Sequence, residues 1–271
     1  MDSKLLTLFN NAKIEISSYG MHYRREMRIV ERVLPYYVMS YHKSGRAILR
    51  IKGKEYLLER GQVILLPPGV SHDHIVEKGV DTELFWWHFT FQIGGHLDAL
   101  RLLRLPYVSY VENSEEFEKV FEHYCRNEQD ALSIPGLLYE KARSFEIMAI
   151  LFENLLQKTG YDVSDVPEPF VSILQDIIDA PSAAFTLKEL SERYFLNPTY
   201  ISNRFKEYFD ISPISLHRKL LIDKAEDLLE SGGLSVGEVA AQLGFENSQT
   251  FSRFFLSKTG MRPSQYRASM R

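Results

Sequence analysis

"NPTYISNRF" (Asn197–Phe205) and "NSQTFSRFF" (Asn247–Phe255) decide the fold of this chain. Both open on Asn, both carry Ser at the sixth place, and both end in Phe. Asn is a favoured helix N-cap, and in the first copy Pro198 takes the first helical position, where its missing N–H is no loss. Just upstream, "TLKEL" (Thr186–Leu190) and "SVGEV" (Ser235–Val239) each place a hydroxyl three residues before Glu, the capping-box pattern that starts a helix. Between them lie the tight turns "YFLN" and "GFEN". The chain therefore spells helix, turn, helix twice, at about 186–209 and 235–258. That is the organisation of helix-turn-helix DNA readers.

At 100° per residue the second helix of each copy separates into two faces. Ile201, Phe205 and Tyr208 fall on a core side, with Thr199, Ser202, Asn203 and Lys206 opposite. In the second copy Phe251, Phe254 and Phe255 lie inward. Gln249, Ser252 and Arg253 lie outward, and Ser248 opens the helix beside them. Such outward groups read base edges in a major groove: Arg253 suits guanine, while Gln249 and Asn203 suit adenine. Thr199 and Ser202 suit lesser contacts and Lys206 a phosphate. Two units in one chain read successive groove faces about 34 Å apart. Residues 181–271 hold 12 Lys and Arg against 10 Asp and Glu, so their net charge is small. The acids gather at Asp223, Glu226, Asp227 and Glu230, and the bases near the second helices, including Arg204, Lys206, Arg253 and Arg267.

The remaining sequence bounds the setting. The chain has 271 residues, 45% hydrophobic and 25% charged, as a folded soluble protein of one or two domains has. Cys125 is the only cysteine, which excludes an intrachain disulfide and fits a reducing compartment. The N-terminal apolar stretch is too short for a signal peptide, and no apolar run is long enough to span a membrane. The cytoplasm is the expected location.

From Met27 to Gln92 the pattern is strand-like, with Gly at 45, 53, 61 and 69 punctuating short apolar runs. Lys52-Gly53 reads as a hairpin turn. From Asn113 the period turns helical: Phe117, Val120, Phe121 and Tyr124 recur on one face. After Pro135-Gly136 a longer helix is expected to start, with Leu138, Ala142, Phe145, Ala149, Phe152 and Leu156 on one side. Its other side carries Ile147, Ile150 and Leu151. A helix this apolar wants more than one neighbour, either the barrel or a second copy of the chain. "GYDVSDVPEPF" (Gly160–Phe170) is polar, holds two prolines and reads as a linker.

On these motifs the C-terminal hundred residues resemble the AraC/XylS family of bacterial transcription regulators. "LSVGEVAAQLGFENSQTFSRFFLSKTGMRPSQYR" (Leu234–Arg267) is close to that family's second helix-turn-helix signature. The first copy matches with departures: Leu221 stands where the family often has Arg, Asp210 replaces a frequent Gly, and Leu256 a common basic residue. "GQVILLPPGVSH" (Gly61–His72) fits the second cupin signature, whereas the first, with its metal ligands, is absent around residues 36–50. The resemblance implies a multidomain α+β chain: a cupin-like sensing barrel with an N-terminal arm (1–112) and a helical dimerisation segment (113–160). A linker (161–170) then leads to an all-α DNA-binding domain of seven helices (171–271). The partners implied are operator DNA, a second copy of the chain and a small-molecule effector. RNA polymerase is a further candidate, since activation is the commoner mode in the family.

In the barrel, His72 and His74 share a strand face, as do Trp86 and His88, with Trp87 on the other. Two histidines do not make a metal site, and no spacing recruits His42 or Glu83, so neither metal nor cofactor is expected. Similarity to sugar-sensing members places a carbohydrate near His74 and Trp86. His72 and His88 lie beside them, and Tyr36 and Arg46 are candidates from the opposite wall. Two other readings stand beside this one. A metal-dependent cupin enzyme with a helical tail requires catalytic ligands that the first signature lacks. A dimeric DNA-binding protein with no effector needs no pocket.

Overall fold

The computed structural model describes residues 3–10, 12–103, 105–126, 133–159, 166–179 and 181–270. The chain divides into two compact units. One comprises Lys13–Phe91 and Leu103–Val163; the other comprises Met1–Ala12, Gln92–Leu102 and Ser164–Arg271. Of the stretch expected as the linker, 161–170, residues 161–165 lie outside the described residues, and its last three residues already belong to a helix.

After a short helix, α1 (Ser3–Asn10), the strands run β1 (Ala12–Arg24), β2 (Met27–Arg32), β3 (Tyr37–Ser44), β4 (Ala47–Ile51), β5 (Lys54–Leu58), β6 (Gln62–Leu66), β7 (His72–Val76), β8 (Thr82–Ile93), β9 (Leu97–Asp98) and β10 (Val108–Tyr110). Strand structure thus begins at Ala12 rather than at Met27. The residues of β1 alternate between exposed and half-buried, so apolar content alone does not mark this strand. One sheet has the order β1-β8-β3-β6-β10 with β9 paired to β8, and the other the order β2-β7-β4-β5. Val38, Ile64 and Leu66 of the first sheet form a single apolar core with Ala47, Leu49, Ile51, Leu58 and Val76 of the second. The two sheets therefore enclose a common interior. Lys52 (φ 49°) and Gly53 (φ 73°) both take the left-handed conformation between β4 and β5, as a two-residue hairpin turn requires.

The outer face of the first sheet is covered by α2 (Ser114–Arg126). Phe85 and Phe121 stack at 4.7 Å, Trp87 lies 5.4 Å from Phe121, and Tyr41 lies 4.8 Å from Phe117. The Tyr41 hydroxyl donates to Glu118 at 2.6 Å, and Lys43 bridges Glu83 and Glu122 at 3.0 and 2.9 Å. The long helix α3 (Ile134–Thr159) packs on α2 and β10. It starts at Ile134, so Pro135 and Gly136 sit in its first turn, where proline breaks no hydrogen bond. Ile147, Met148, Leu151 and Leu155 are buried, and Asn154 accepts the backbone N–H of Glu112 at 2.6 Å. Leu138, Ala142, Phe145 and Ala149 are exposed on the opposite side.

The second unit is helical. The helices are α4 (Glu168–Asp179), α5 (Leu187–Tyr194), α6 (Pro198–Phe209), α7 (Pro213–Glu230), α8 (Val236–Gln242), α9 (Ser248–Thr259) and α10 (Pro263–Ser269). Leu8 of α1 is fully buried, and α1 packs on α4. The later helix-turn-helix closes over α7: Leu221, Ala225 and Leu229 meet Val239, Leu243, Phe251, Phe255 and Tyr266. The earlier one buries Leu190, Ile201, Phe205 and Phe209, and Phe170 of α4 reaches Tyr208 at 5.1 Å.

Candidate functional site

The two reader units form as capped pairs. Thr186 and Glu189 close one capping box, Ser235 and Glu238 the other. Asn197 accepts the N–H groups of Thr199 and Tyr200, and Asn247 that of Thr250, so both reader helices start where their sequences place the caps. The turns differ. From Thr186 to Asn197 the chain uses one residue fewer than from Ser235 to Asn247. The left-handed residue of the first turn is Phe195 (φ 54°), which is 93% exposed, and that of the second is Gly244 (φ 77°). The copies are thus not a rigid translation of one another.

On α6, Thr199, Asn203 and Lys206 are exposed and Ser202 half-buried. On α9, Gln249 and Arg253 are exposed, with Ser248 and Ser252 half-buried. Among the described residues, Lys206 and Arg253 enter no ion pair, whereas Arg204 is held by Glu207 at 2.7 Å. Arg267 is also taken. It donates to the carbonyl oxygens of Leu229 and Leu234 at 3.3 and 2.7 Å, satisfying backbone at the exit of α7. The basic groups left for a polyanion are therefore fewer than the sequence count, and they include Lys206 of α6 and Arg253 and Lys258 of α9.

The interior of the sheet unit carries a polar cluster next to its apolar core. His72 and His74 of β7 both face inward, and so do Ser40 and His42 of β3. On β8, Trp86 and His88 lie on the same face as Ser40, which pairs with Trp86 in register, while Trp87 packs outward on α2. Gly20 of β1 lies against the indole of Trp86: a Cβ there would stand 3.4 Å from the ring, in van der Waals contact. The rings of His22 and Trp86 are 5.1 Å apart, those of Trp86 and His88 4.9 Å, and those of Tyr36 and His88 4.8 Å. Ser18 meets His88 Nδ1 at 2.9 Å and Arg32 meets His88 Nε2 at 3.5 Å. A guanidinium only donates, so Nε2 of His88 accepts and its proton sits on Nδ1, toward Ser18.

These imidazoles are held neutral. Burial lowers the pKa of His74 to about 3, helped by His42, His72 and Arg32 nearby. Burial lowers His42 to about 4, and burial with Arg32 brings His88 to about 4. His72 and His22 are also lowered, mainly by burial. Ser40 Oγ, both ring nitrogens of His42, His74 Nε2 and Trp86 Nε1 are buried with no protein partner among the described residues. Buried polar atoms are nearly always satisfied, so these call for water or a ligand. No group of three or more His, Cys, Asp or Glu is arranged to hold a metal among the described residues.

The structure thus gathers His72, His74, Trp86, His88 and Tyr36. Arg46 does not join them: it lies in the β3–β4 turn, on the outward parity of β4, and is exposed. Arg32 of β2 takes the cationic place that Arg46 was expected to fill. Sequence reading also missed His22, Ser18 and Ser40. His22 shares its strand parity with Ser18 and Gly20 in β1, a signal that needed the strand itself to be recognised.

Comparison with known proteins accords with both halves. An AraC-like ligand binding domain matches residues 17–133 and a helix-turn-helix domain matches residues 190–269. The raffinose operon transcriptional regulatory protein RafR of Pediococcus pentosaceus is 25% identical over 241 residues, covering 86% of this chain and 85% of its own length. The arabinose operon regulatory protein of Escherichia coli (strain K12) is 24% identical over 239 residues, covering 86% and 80%. The MmsAB operon regulatory protein of Pseudomonas aeruginosa is 23% identical over 256 residues, covering 92% and 81%. Fold, reader units and similarity together define a DNA-binding transcription regulator with an N-terminal ligand-binding domain, not an enzyme. The chain belongs to the AraC/XylS family of bacterial transcription regulators.

Proposed function

We propose that this protein is a homodimeric, cytoplasmic transcription activator switched by a neutral sugar or sugar derivative in the interior of the sheet unit. The observation that carries the effector reading is the half-buried Trp86 ring beside unpartnered, uncharged donors and acceptors. A pyranose or furanose offers an apolar face for an indole and hydroxyls for neutral imidazoles. His72, His74, Trp86, His88, Tyr36 and Arg32 are the residues assigned to it. The operons named for the raffinose and arabinose regulators point the same way. The test is titration of intrinsic tryptophan fluorescence with raffinose, arabinose and a panel of other neutral saccharides. At least one should perturb Trp86 and change DNA affinity, and Trp86→Ala should abolish both responses. If no neutral saccharide acts at millimolar concentration, the sugar reading falls.

On the DNA side, Arg253 and Gln249 of α9 and Asn203 of α6 read bases. Thr199, Ser202, Ser248 and Ser252 support them, and Lys206 contacts phosphate. The exposed side of α3, with Leu138, Ala142, Phe145 and Ala149, is the surface for a second copy of the chain, and RNA polymerase is the partner of the DNA-bound dimer.

A further inference from the structure

The two reader helices end differently. Each closes on a left-handed C-cap, Asp210 (φ 57°) for α6 and Gly260 (φ 75°) for α9. Glycine adopts this conformation freely, whereas a side chain there is strained. The Asp210 carboxylate is engaged: it pairs with Arg101, in the short 3-10 turn Ala99–Leu102 that follows β9. Two further contacts join the same segment to α7. His96 Nε2 lies 2.7 Å from Asp223 Oδ2, and Gly94 sits so close to Leu220 that a Cβ would stand 2.6 Å from it. Residues 92–102 accordingly belong to one compact unit with the DNA-binding helices. They also continue directly from β8, the strand that carries Trp86 and His88.

We propose that Asp210 is a tether: through Arg101 it ties the C-terminus of the first reader helix to the segment leaving β8, so that the first reader answers directly to the sensing half of the chain. Asp210 and Arg101 are both substantially exposed, so their pair is a weak lock. A contact of that strength is one that an effector can shift. The operator-binding part of this inference rests on the DNA-reading assignment above.

The experiment uses the full chain and a duplex recovered by selection from random DNA. Asp210→Gly removes the tether while relieving the left-handed strain, so the variant should fold and melt no lower than the parent. Asp210→Gly and Arg101→Ala should each change affinity about threefold or more, with altered protection in the half of the site read by the first unit. The exchanged pair Arg101→Asp with Asp210→Arg should restore parental binding, where Arg101→Asp alone does not. Amide hydrogen exchange without DNA is the independent arm: the last turn of α6 should exchange faster in Arg101→Ala and recover in the exchanged pair. Unchanged exchange in Arg101→Ala, or an exchanged pair no better than the single reversal, overturns the tether. Failure of the parent itself to select any sequence defeats the DNA-reading assignment instead, and the exchange arm still decides the tether.

Discussion

Nε2 of His217, buried in α7, accepts the backbone N–H of Ser182 at 3.1 Å, and the same imidazole stacks on Phe185 at 4.2 Å. The loop between α4 and α5 is thereby fastened to the helix that joins the two readers. It is fastened to the second reader unit as well, since Ala183 donates to the carbonyl of Leu243 at 2.8 Å. The spacing of the readers therefore depends on a short loop that belongs to neither helix-turn-helix.

Burial holds His217 at a pKa of about 4, below its ordinary value of 6.5. The unfolded chain binds this proton more readily than the folded one. The contribution of His217 is therefore complete above about pH 6.5 and is lost as the pH falls toward 4. His217→Gln keeps an acceptor for Ser182 but removes the titration. Chemical denaturation of parent and variant at pH 7 and pH 5 should show the parent losing on the order of 1–3 kcal/mol more than the variant between the two. Equal losses would show that other groups carry the acid sensitivity.

Gly244→Ala should destabilise the second reader unit. Its φ of 77° is costly for any Cβ, and a methyl group there would stand 2.6 Å from Ser182 Oγ. About 1–3 kcal/mol is expected in thermal or denaturant unfolding. Gly244→Ala combined with Ser182→Gly should recover the steric part and leave the backbone part.

Phe145→Asp should convert the protein to a monomer in sedimentation or light scattering while leaving the far-UV spectrum unchanged. Phe145 is exposed on α3 beside Leu138, Ala142 and Ala149, so a carboxylate there has no cost in the single chain but a large one in an apolar contact between copies. Ile147→Asp, on the buried side of the same helix, should unfold the unit instead. A monomeric parent would remove the assignment of this face.

Arg253→Ala should cost roughly 1–3 kcal/mol at one base position and relax the preference there. Lys206→Ala should weaken all sequences alike and flatten the dependence on salt, since a phosphate contact releases counterions regardless of sequence. Binding-site selection with each variant at fixed salt separates the two. A uniform loss in Arg253→Ala would reassign that residue to the backbone.

The sequence by itself determined the elements whose signals are local. Caps at Thr186, Asn197, Ser235 and Asn247 act on N–H groups within three residues, so the chain spells out the two reader units and their outward faces. Strand parity likewise sets Trp86 and His88 on one side of β8 and Trp87 on the other. Tertiary structure decided what depends on residues far apart in the chain. Arg32 displaced Arg46 because register and turn parity, not residue type, set which arginine faces the interior. Which apolar side of α3 is covered was settled only by α2 and β10, since both sides were hydrophobic enough to be buried. Arg267 and Asp210 were spoken for by the carbonyls of Leu229 and Leu234 and by Arg101, partners that no spacing in the sequence announces.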